Sequence, residues 1–338
     1  MSAQPLVSVL IPCHNAAQWV GACLESALAQ TWPSLEIIVV DDGSTDGSAA
    51  CVSHFEPRGV RLIRTPNRGA AAARNRAFAE SHGAFIQFLD ADDLLAPTKI
   101  ELQVRRLLAA GGTAIASGEW ARFYDDPKAA HFTPEPTWAD HDPVALLRLL
   151  YAENRMVQPA AWLLPRRVAD ACGPWNEELT LDDDGEFFAR AVLASERVLF
   201  VEGARSYYRS GLHGSLSHRQ SSRAWQSQYR AIELSTAALL ARDDAEETRR
   251  ACADRWQRFI FSAYPDAPRE RELAAEHVRA LGGSSLRPDG GPLLKSLESA
   301  IGWKAARRLR RILYDAGYQK LGHVRRARAL RRHRQEKK

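Results

Sequence analysis

Short apolar runs alternate with segments of helical periodicity along the first third of the chain. The apolar runs predict buried strands, and they cover residues 6–11, 36–40, 60–63, 85–89 and 113–117. The segments between them have apolar residues at helical spacing, at residues 19–28, at 70–81 and from Pro97 onward. Pro12 is expected to end the first strand. Strands that alternate with helices predict an α/β fold, a mostly parallel sheet flanked by helices.

The pattern changes twice after residue 118. Residues 119–151 are irregular and include one short helix. Further short elements are then predicted, namely strands at 158–164, 197–201 and 205–208 and a helical turn at 167–172. After about residue 217 the strand signals stop and helices follow, broken near residues 265–268 and 282–292. We therefore expect an α/β domain over residues 1–217, with halves of about 1–118 and 119–217, and a helical, basic region over 218–338.

Polar loops follow three of the predicted strands, at residues 12–15, 41–46 and 90–93. Ligands of open parallel sheets bind beyond the carboxyl ends of the strands. Because all three loops lie at such ends, we expect them to converge on one ligand site at one edge of the sheet.

The loop 90–93 carries three carboxylates, Asp90, Asp92 and Asp93, directly after an apolar strand. Clustered carboxylates repel one another unless a cation neutralises them. Oxygen ligands favour a hard divalent ion such as Mg²⁺ or Mn²⁺, which is often shared with substrate phosphates. The alternative is a solvated turn that caps the following helix, and Asp93 is the carboxylate expected to do so.

The composition is that of an ordinary globular protein, with 45% hydrophobic and 26% charged residues among 338. No apolar run reaches the about 18 residues of a membrane span, and the N-terminus lacks the basic and apolar regions of a signal peptide. The five cysteines are scattered without metal-ligand spacing. These features predict a cytoplasmic protein with reduced thiols.

The net charge of +5 is concentrated near the C-terminus, in residues 303–311 and 324–332. One helical face there carries small and apolar residues surrounded by arginines, namely Ala306, Leu309, Leu313 and Ala316. Such a helix suits the inner face of a cell membrane with anionic lipids, and would make the protein peripheral. The alternative is a helix that packs on the rest of the protein with a solvated arginine face. No recognition motif for nucleic acid accompanies the charge, so no nucleic-acid partner is expected.

Five motifs in order resemble those of family 2 glycosyltransferases. They are residues 7–15, residues 39–46, Asn67-Arg68-Gly69 with Ala73-Arg74-Asn75, Asp90-Ala91-Asp92-Asp93, and Gly173-Pro174-Trp175-Asn176-Glu177 followed by Asp183-Asp184 and Tyr207-Tyr208-Arg209. The resemblance covers roughly residues 5–217. It implies a GT-A fold, a nucleotide-sugar donor, a divalent metal ion and inversion at the anomeric carbon.

By this resemblance Asp92 is the metal ligand, and Asp90 is a second contact with the metal or the donor. His213 lies near the position where some relatives have a histidine that contacts the metal or diphosphate, although its spacing differs by two residues. It is the third residue of the predicted metal site. Tyr208 and Arg209 are expected either to pack in the fold or to contact phosphate.

The resemblance also implies contacts with the nucleobase. Asp42 matches the aspartate that accepts a hydrogen bond from uracil, and its alternative role is an N-cap or Asx turn. Pro12 and His14 match the loop that lines the base, although His14 would also suit a plain surface position. Arg74 is expected near the base, or else exposed on its helix. The complete predicted donor site is Pro12, His14, Asn15, Asp42, Arg74, Asp90, Ala91 and Asp92.

The general base is expected in the Asp183-Asp184 pair at the start of a helix. Asp184 is the preferred base, and Asp183 is the alternative and an acceptor contact. The chain departs from the family pattern here, with Asp183 for a glutamate and Gly185 where an aromatic residue is common. Acidic residues are typical of helix N-termini in any case, and like charges at this spacing are expected to raise the pKa of at least one carboxyl. Trp175 is expected to line the acceptor pocket or, alternatively, to pack in the core.

Together these features predict an inverting, metal-dependent glycosyltransferase. It would move a sugar from a nucleoside-diphosphate donor, with UDP favoured, to a hydroxyl of a glycan or lipid-linked acceptor in surface polysaccharide synthesis. A nucleotidyltransferase is disfavoured, because residues 12–15 lack its Gly-rich start with Arg and Lys. The second hypothesis is a catalytically silent sugar-nucleotide-binding or scaffold module, to which the changes at Asp183 and Gly185 point. The oligomeric state stays open, with a dimer suggested only by the long helical tail.

Overall fold

The larger sheet is built around its first strand, β1 (Val7–Cys13). The computed structural model describes residues 4–211, 221–288, 297 and 301–313. The sheet has the order β3-β2-β1-β4-β7, and its remaining strands are β2 (Leu35–Asp42), β3 (Val60–Thr65), β4 (Phe85–Phe88) and β7 (Leu164–Pro165). β1 to β4 are parallel, and β7 is antiparallel to β4. The predicted parallel α/β sheet is therefore confirmed.

Helices connect and cover these strands on both faces. They are α1 (Val20–Leu28), α2 (Ser48–Ser53), α3 (Ala70–Ala79) and α4 (Lys99–Ala110). Side chains alternate across a strand, so Val9 packs in one core cluster with α1 and α4 while Leu10 packs in the other with α3. With both faces buried, the strands read as continuous apolar runs, as parallel sheets usually do.

Pro12 does not end β1, contrary to the expectation. It pairs with Val40 of β2, and the strand continues to Cys13. Proline lacks only the N–H of the ladder, and its fixed φ is compatible with extended backbone near a strand end. The polar loop after β1 therefore starts two residues later than the sequence indicated.

A second, smaller sheet has the order β5-β8-β6, with β5 (Leu94–Leu95), β6 (Ile115–Phe123) and β8 (Val198–Arg209). The predicted strand at 113–117 belongs to this sheet rather than to the larger one. The predicted strands at 197–201 and 205–208 are one continuous strand, which contains Gly203 with φ +77°. Close approach explains Gly118, since a Cβ there would lie 2.2 Å from the carbonyl oxygen of Ala204.

Three further helices follow along the chain: α5 (Pro143–Glu153), α6 (Arg166–Cys172) and α7 (Asp183–Leu193). The start of α7 after an acidic cluster was predicted and is confirmed. The strand predicted at 158–164 is confirmed only at its end, where Leu164 begins β7, because Pro159–Ala161 form a 3₁₀ turn. The Gln158 side chain accepts the N–H of Ala160 and so favours this turn over a strand.

The C-terminal region is helical over α8 (Ser222–Arg242), α9 (Glu246–Ser262), α10 (Pro268–Ala280) and α11 (Trp303–Leu313). The predicted break near residues 265–268 lies between α9 and α10. The predicted boundary at residue 217 lies outside the described residues. Among the described helices, none has the length and apolar character needed to cross a lipid bilayer.

Candidate active site

The acidic loop after β4 is anchored to β8 through its last carboxylate. Asp93 is 1% exposed, and its Oδ1 accepts the backbone N–H of Arg209 at 2.8 Å. Burial, followed by the charges of Asp92 and Asp90, raises the pKa of Asp93 well above its usual range. The expectation that Asp93 caps the following helix is wrong, because α4 begins only at Lys99. Asp93 instead joins the acidic loop to the second sheet.

Asp92 is the carboxylate of this loop whose negative charge a bound cation would neutralise. Burial and the neighbouring charge of Asp90 raise its pKa to about 6. Within the described part of the chain, no other residue donates a hydrogen bond to its carboxylate. The described residues contain no cluster of three His, Cys, Asp or Glu side chains able to hold a metal ion by themselves. The loop therefore fits a hard cation that takes its other oxygen ligands from a substrate or water.

Arg74 of α3 connects the acidic loop to α7. Its Nη2 donates to Asp90 Oδ1 at 2.7 Å and its Nη1 to Asp183 Oδ2 at 2.8 Å. The side chain is only 7% exposed, so the alternative of an exposed helix arginine is wrong. The charges of Asp90 and Asp183 outweigh the effect of burial and raise the pKa of Arg74. The arginine is thus a permanent cation between two carboxylates.

Asp183 and Asp184 differ in their surroundings although they are adjacent at the first turn of α7. Asp183 is paired with Arg74, whereas the Asp184 carboxylate accepts only the N–H of Gly185, at 2.9 Å, among the described residues. The pKa of Asp184 is raised to about 7 by burial, by Asp183 and by Asp182, and Arg74 opposes the shift. A raised carboxyl pKa in the acidic cluster was expected, but burial rather than like charge is its first cause.

Gly185 leaves room for the side chain of Asp182. A Cβ at Gly185 would lie 2.2 Å from Asp182 Oδ1. The other carboxylate oxygen of Asp182 lies 3.1 Å from Nη2 of Arg255, which comes from α9 and sits 4.2 Å from the ring centroid of Tyr151. The C-terminal helices therefore supply a buried arginine to the start of α7. Nothing in the local sequence around Arg255 distinguishes it from the other arginines of α9.

The predicted nucleobase residues lie together at the carboxyl ends of β1 and β2. His14 Nδ1 is 2.8 Å from the carbonyl oxygen of Asp42, and Asn15 Oδ1 accepts the N–H of Thr45 at 2.8 Å. Both side chains, those of His14 and Asn15, are exposed, and Pro12 is half-buried. These contacts hold the two loops against each other, as the topology predicted.

Asp42 has a clear structural role. Its two carboxylate oxygens accept the backbone N–H groups of Arg68 and Gly69, each at 2.8 Å. These groups precede α3, so Asp42 fixes the entrance to the helix that carries Arg74. This contact is neither an N-cap nor an Asx turn, because the two N–H groups are 26 and 27 positions away and Gly69 is itself the N-cap of α3. Each carboxylate oxygen retains a further lone pair for a ligand donor. The uracil contact stays a prediction.

Trp175 does not line an open pocket, so that expectation is corrected. Its ring is 2% exposed, stacks on Phe187 with centroids 4.1 Å apart, and lies 4.3 Å from the Arg74 guanidinium. Asn75 fixes its backbone by accepting its N–H at 2.8 Å and donating to its carbonyl at 2.9 Å. Trp175 packs in the core against the Arg74 guanidinium, which was the alternative to the acceptor pocket.

Of the remaining predicted residues, some pack in the fold and one lies outside the described residues. Arg209 donates through Nε to the carbonyl of Asp92 at 3.0 Å, and its guanidinium lies 4.3 Å from the ring of Trp19. It therefore holds the acidic loop by packing. Ala91 is buried in the same loop. His213 lies outside the described residues.

Comparisons with known proteins identify the class. The sequence model of glycosyl transferase family 2 matches residues 8–173. The uncharacterized glycosyltransferase YibD of Escherichia coli is 41% identical over 103 residues, which are 30% of this chain and 30% of YibD. The E. coli UDP-Glc:alpha-D-GlcNAc-diphosphoundecaprenol beta-1,3-glucosyltransferase WfgD is 38% identical over 104 residues, 30% of this chain and 41% of WfgD. The chain thus spans well under half the length of these relatives.

Among solved structures, S. aureus TarS in complex with UDP-GlcNAc has a similar fold, with a TM-score of 0.65 and 18% sequence identity. The match covers 81% of this chain and 80% of the TarS chain. The likeness shows that the chain has the GT-A fold. Through residues 8–173 the chain belongs to glycosyl transferase family 2, and the expected family and fold are confirmed.

Proposed function

We propose that the protein transfers a sugar, with inversion, from a nucleoside-diphosphate donor to a hydroxyl group of a glycan or lipid-linked acceptor. The observation that carries the proposal is the bridge formed by Arg74, which contacts Asp90 of the acidic loop and Asp183 of the catalytic helix. A donor bound at the acidic loop would thus lie next to the proposed base. UDP is the proposed nucleotide, in keeping with the UDP complex of the structurally similar TarS.

Asp92, with Asp90 beside it, would hold Mg²⁺ or Mn²⁺. When bound, the ion would neutralise the charge of the departing diphosphate as a Lewis acid. The raised pKa of Asp92 supports this assignment, because a cation would remove the cost of its buried negative charge. The nucleoside would contact Asp42, Pro12, His14 and Asn15, at the carboxyl ends of β1 and β2.

Asp184 is the proposed general base. As the acceptor oxygen bonds to the anomeric carbon, the bond from that carbon to the diphosphate breaks and its electron pair leaves with the diphosphate. The acceptor hydroxyl gives its proton to Asp184. A pKa of about 7 suits this role, since a base works best when its pKa is near the operating pH. Asp183, which pairs with Arg74, would orient the acceptor.

The nucleotide and the metal are tested together by thermal shift with UDP, GDP, dTDP and CMP, each with and without Mn²⁺. A ligand at about 100-fold its Kd should stabilise the folded state by about 2.7 kcal/mol. We expect a UDP shift that needs Mn²⁺. The shift should be absent in Asp92→Asn but present in the control Asp170→Asn, at an exposed position of α6. No shift with any nucleotide would overturn the proposal. Binding of UDP without release of UDP from any UDP-sugar would favour the catalytically silent module instead.

The membrane association proposed for the basic tail is tested separately. Lys304 and Arg308 of α11 line one groove with Ile301 and Leu309, which are 48% and 40% exposed. Ala306 on the same helix is fully buried, so the helix also packs on the protein. Each basic residue near an anionic surface contributes about 1 kcal/mol. We expect the protein to float with phosphatidylglycerol vesicles but not with phosphatidylcholine vesicles. The double variant Lys304→Ser/Arg308→Ser should lose this flotation. Equal flotation of both proteins would refute a peripheral location through α11.

A further inference from the structure

One face of the smaller sheet carries a row of polar and aromatic side chains that the proposed donor site does not use. Trp120 and Arg122 are two residues apart on β6 and so share a face. In the register of the sheet, Trp120 pairs with Ser206 and Arg122 with Tyr208 of β8. Tyr124, which is 61% exposed, follows on the same side of the chain. We call Trp120, Arg122 and Tyr208 the β6–β8 platform.

Arg122 is exposed, and its hydrogen bonds and ring contacts within the described residues are all with neutral groups. Its Nη1 donates to Ser210 Oγ at 3.0 Å, and its Nη2 lies 3.1 Å from the Met156 sulfur. Its guanidinium is 4.9 Å from the ring centroid of Tyr208 and 5.6 Å from that of Trp120. No carboxylate of the described chain forms an ion pair with it. The charge is therefore held in place by aromatic rings and available to an anion.

The platform adjoins the acidic loop. Tyr208 directly precedes Arg209, whose backbone N–H is bound by Asp93 of that loop. Burial and, after it, the charge of Asp93 raise the pKa of the Tyr208 phenol to about 12. The platform therefore lies beside the loop at which the proposed donor site is built.

We propose that the β6–β8 platform binds the acceptor and that Arg122 recognises an anionic group on it. The inference rests on the proposed function, because it names the acceptor class of that same site: a saccharide that carries a phosphate or a carboxylate. The planar guanidinium presents several N–H donors in a geometry that matches either anion. The ring of Trp120 offers an apolar face to the sugar, and Tyr208 offers a hydroxyl. Arg122 is therefore a specificity-determining residue.

The test compares matched saccharide probes on the UDP- and Mn²⁺-saturated protein by isothermal titration calorimetry. The probes are N-acetylglucosamine, N-acetylglucosamine 6-phosphate and glucuronic acid, with inorganic phosphate as the control for an anion alone. We expect at least one anionic saccharide to bind about tenfold more tightly than the neutral one. Comparison of N-acetylglucosamine 6-phosphate with glucuronic acid identifies whether phosphate or carboxylate is preferred. Tighter binding of the saccharide than of inorganic phosphate would show that the sugar is recognised as well.

The deciding variant is Arg122→Gln, with Arg105→Gln, at an exposed position of α4, as the matched control. Arg122→Gln should abolish the preference for the anionic saccharide, and Arg105→Gln should retain it. Equal binding of neutral and anionic probes, or a preference that persists in Arg122→Gln, would overturn the inference. UDP binding measured on the same samples separates the two proposals: UDP binding without an anion preference refutes only the acceptor class. Failure to bind UDP refutes the proposed function, and the probes are then compared on the nucleotide-free protein.

Discussion

Arg74 and Asp183 are 109 positions apart in the chain, yet Nη1 of the arginine lies 2.8 Å from the carboxylate of the aspartate. The second amino group of Arg74 reaches Asp90 at 2.7 Å. The guanidinium is nearly buried above the ring of Trp175. A single cation thus compensates one carboxylate from the acidic loop and one from α7, and the two parts of the proposed site depend on each other through it.

Replacing Arg74 should cost more stability than a surface arginine would. Arg74→Met leaves two partly buried carboxylates without their cation, which typically costs about 3 to 5 kcal/mol. The matched control is Arg76→Met on the same helix, where the side chain is 50% exposed and pairs with Glu80 at i,i+4. Its removal should change the free energy of unfolding by at most about 0.5 kcal/mol. Urea denaturation of both variants measures the difference, and similar losses would contradict the central role of Arg74.

Asp184→Asn should abolish transfer without abolishing donor binding. Loss of a general base typically lowers the rate about 10² to 10⁴-fold. Asp183→Asn also removes the partner of Arg74, so it should lower the stability as well as the rate. UDP release from the active UDP-sugar measures the rate, and the UDP thermal shift measures donor binding. An Asp184→Asn protein as active as the wild type, with Asp183→Asn inactive, would assign the base to Asp183.

The pH dependence of the rate follows from the raised pKa of Asp184. A general base works as the carboxylate, so activity should fall as the pH drops through about 7. The charge of the neighbouring Arg74 lowers this pKa. Arg74→Met should therefore move the acidic limb of the profile to higher pH, and Arg74→Lys, which keeps a positive charge, should move it less. The measurement is kcat/KM against pH in the three proteins. An acidic limb near pH 4 in the wild type would contradict an elevated pKa in the free enzyme.

Asp92→Asn should have opposite effects on stability with and without ligand. The folded state raises the pKa of Asp92 to about 6 from 3.8, so it binds more protons than the unfolded state between these values. Stability is then lost as the pH rises through about 6. At pH 8 the ionised carboxylate lowers the free energy of unfolding by about 1 to 3 kcal/mol. Without metal, Asp92→Asn should melt at a higher temperature than the wild type at pH 8 and similarly at pH 4. With Mn²⁺ and UDP, the order at pH 8 should reverse; a higher melting temperature of the variant under both conditions would argue against a metal at Asp92.

The sequence alone was enough to predict the first half of the fold. Strands β1 to β4 are apolar runs that can be identified from the local sequence alone. Their parallel pairing follows from the helices between them. The loops after these strands had to meet at one edge, which brought His14, Asn15 and Asp42 together as expected. The second sheet could not be predicted in this way, because β6 and β8 lie far apart in the chain and local pattern identifies a strand but not its partner.

The site residues that were misjudged depend on such distant contacts. Trp175 looked suited to an acceptor pocket, but Phe187 and Arg74 cover its two faces. Asp93 looked like a helix cap, but its partner is on β8, 116 positions away. Arg255 gave no local sign of its contact with Asp182. In each case the sequence showed the chemistry of the residue but not the distant residue that it contacts.

Gly185 provides a test of the contact between the C-terminal helices and α7. In a helix interior, alanine is normally about 1 kcal/mol more favourable than glycine. At Gly185, however, the new Cβ would lie 2.2 Å from Asp182 Oδ1 and should displace the carboxylate from Arg255. Gly185→Ala should therefore destabilise the protein by about 1 to 3 kcal/mol, since both Asp182 and Arg255 are largely buried.

The sign of this effect should depend on Asp182. In an Asp182→Ala background the clash is absent, so Gly185→Ala should then stabilise the protein by up to about 1 kcal/mol through helix propensity alone. Urea denaturation of the four proteins of this double-mutant cycle measures the coupling between the two positions. The same change in unfolding free energy in both backgrounds would mean that Gly185 is not required by the Asp182–Arg255 contact. A change of sign would explain why this chain has a glycine where its family commonly has an aromatic residue: the space is occupied by a carboxylate that links α7 to α9.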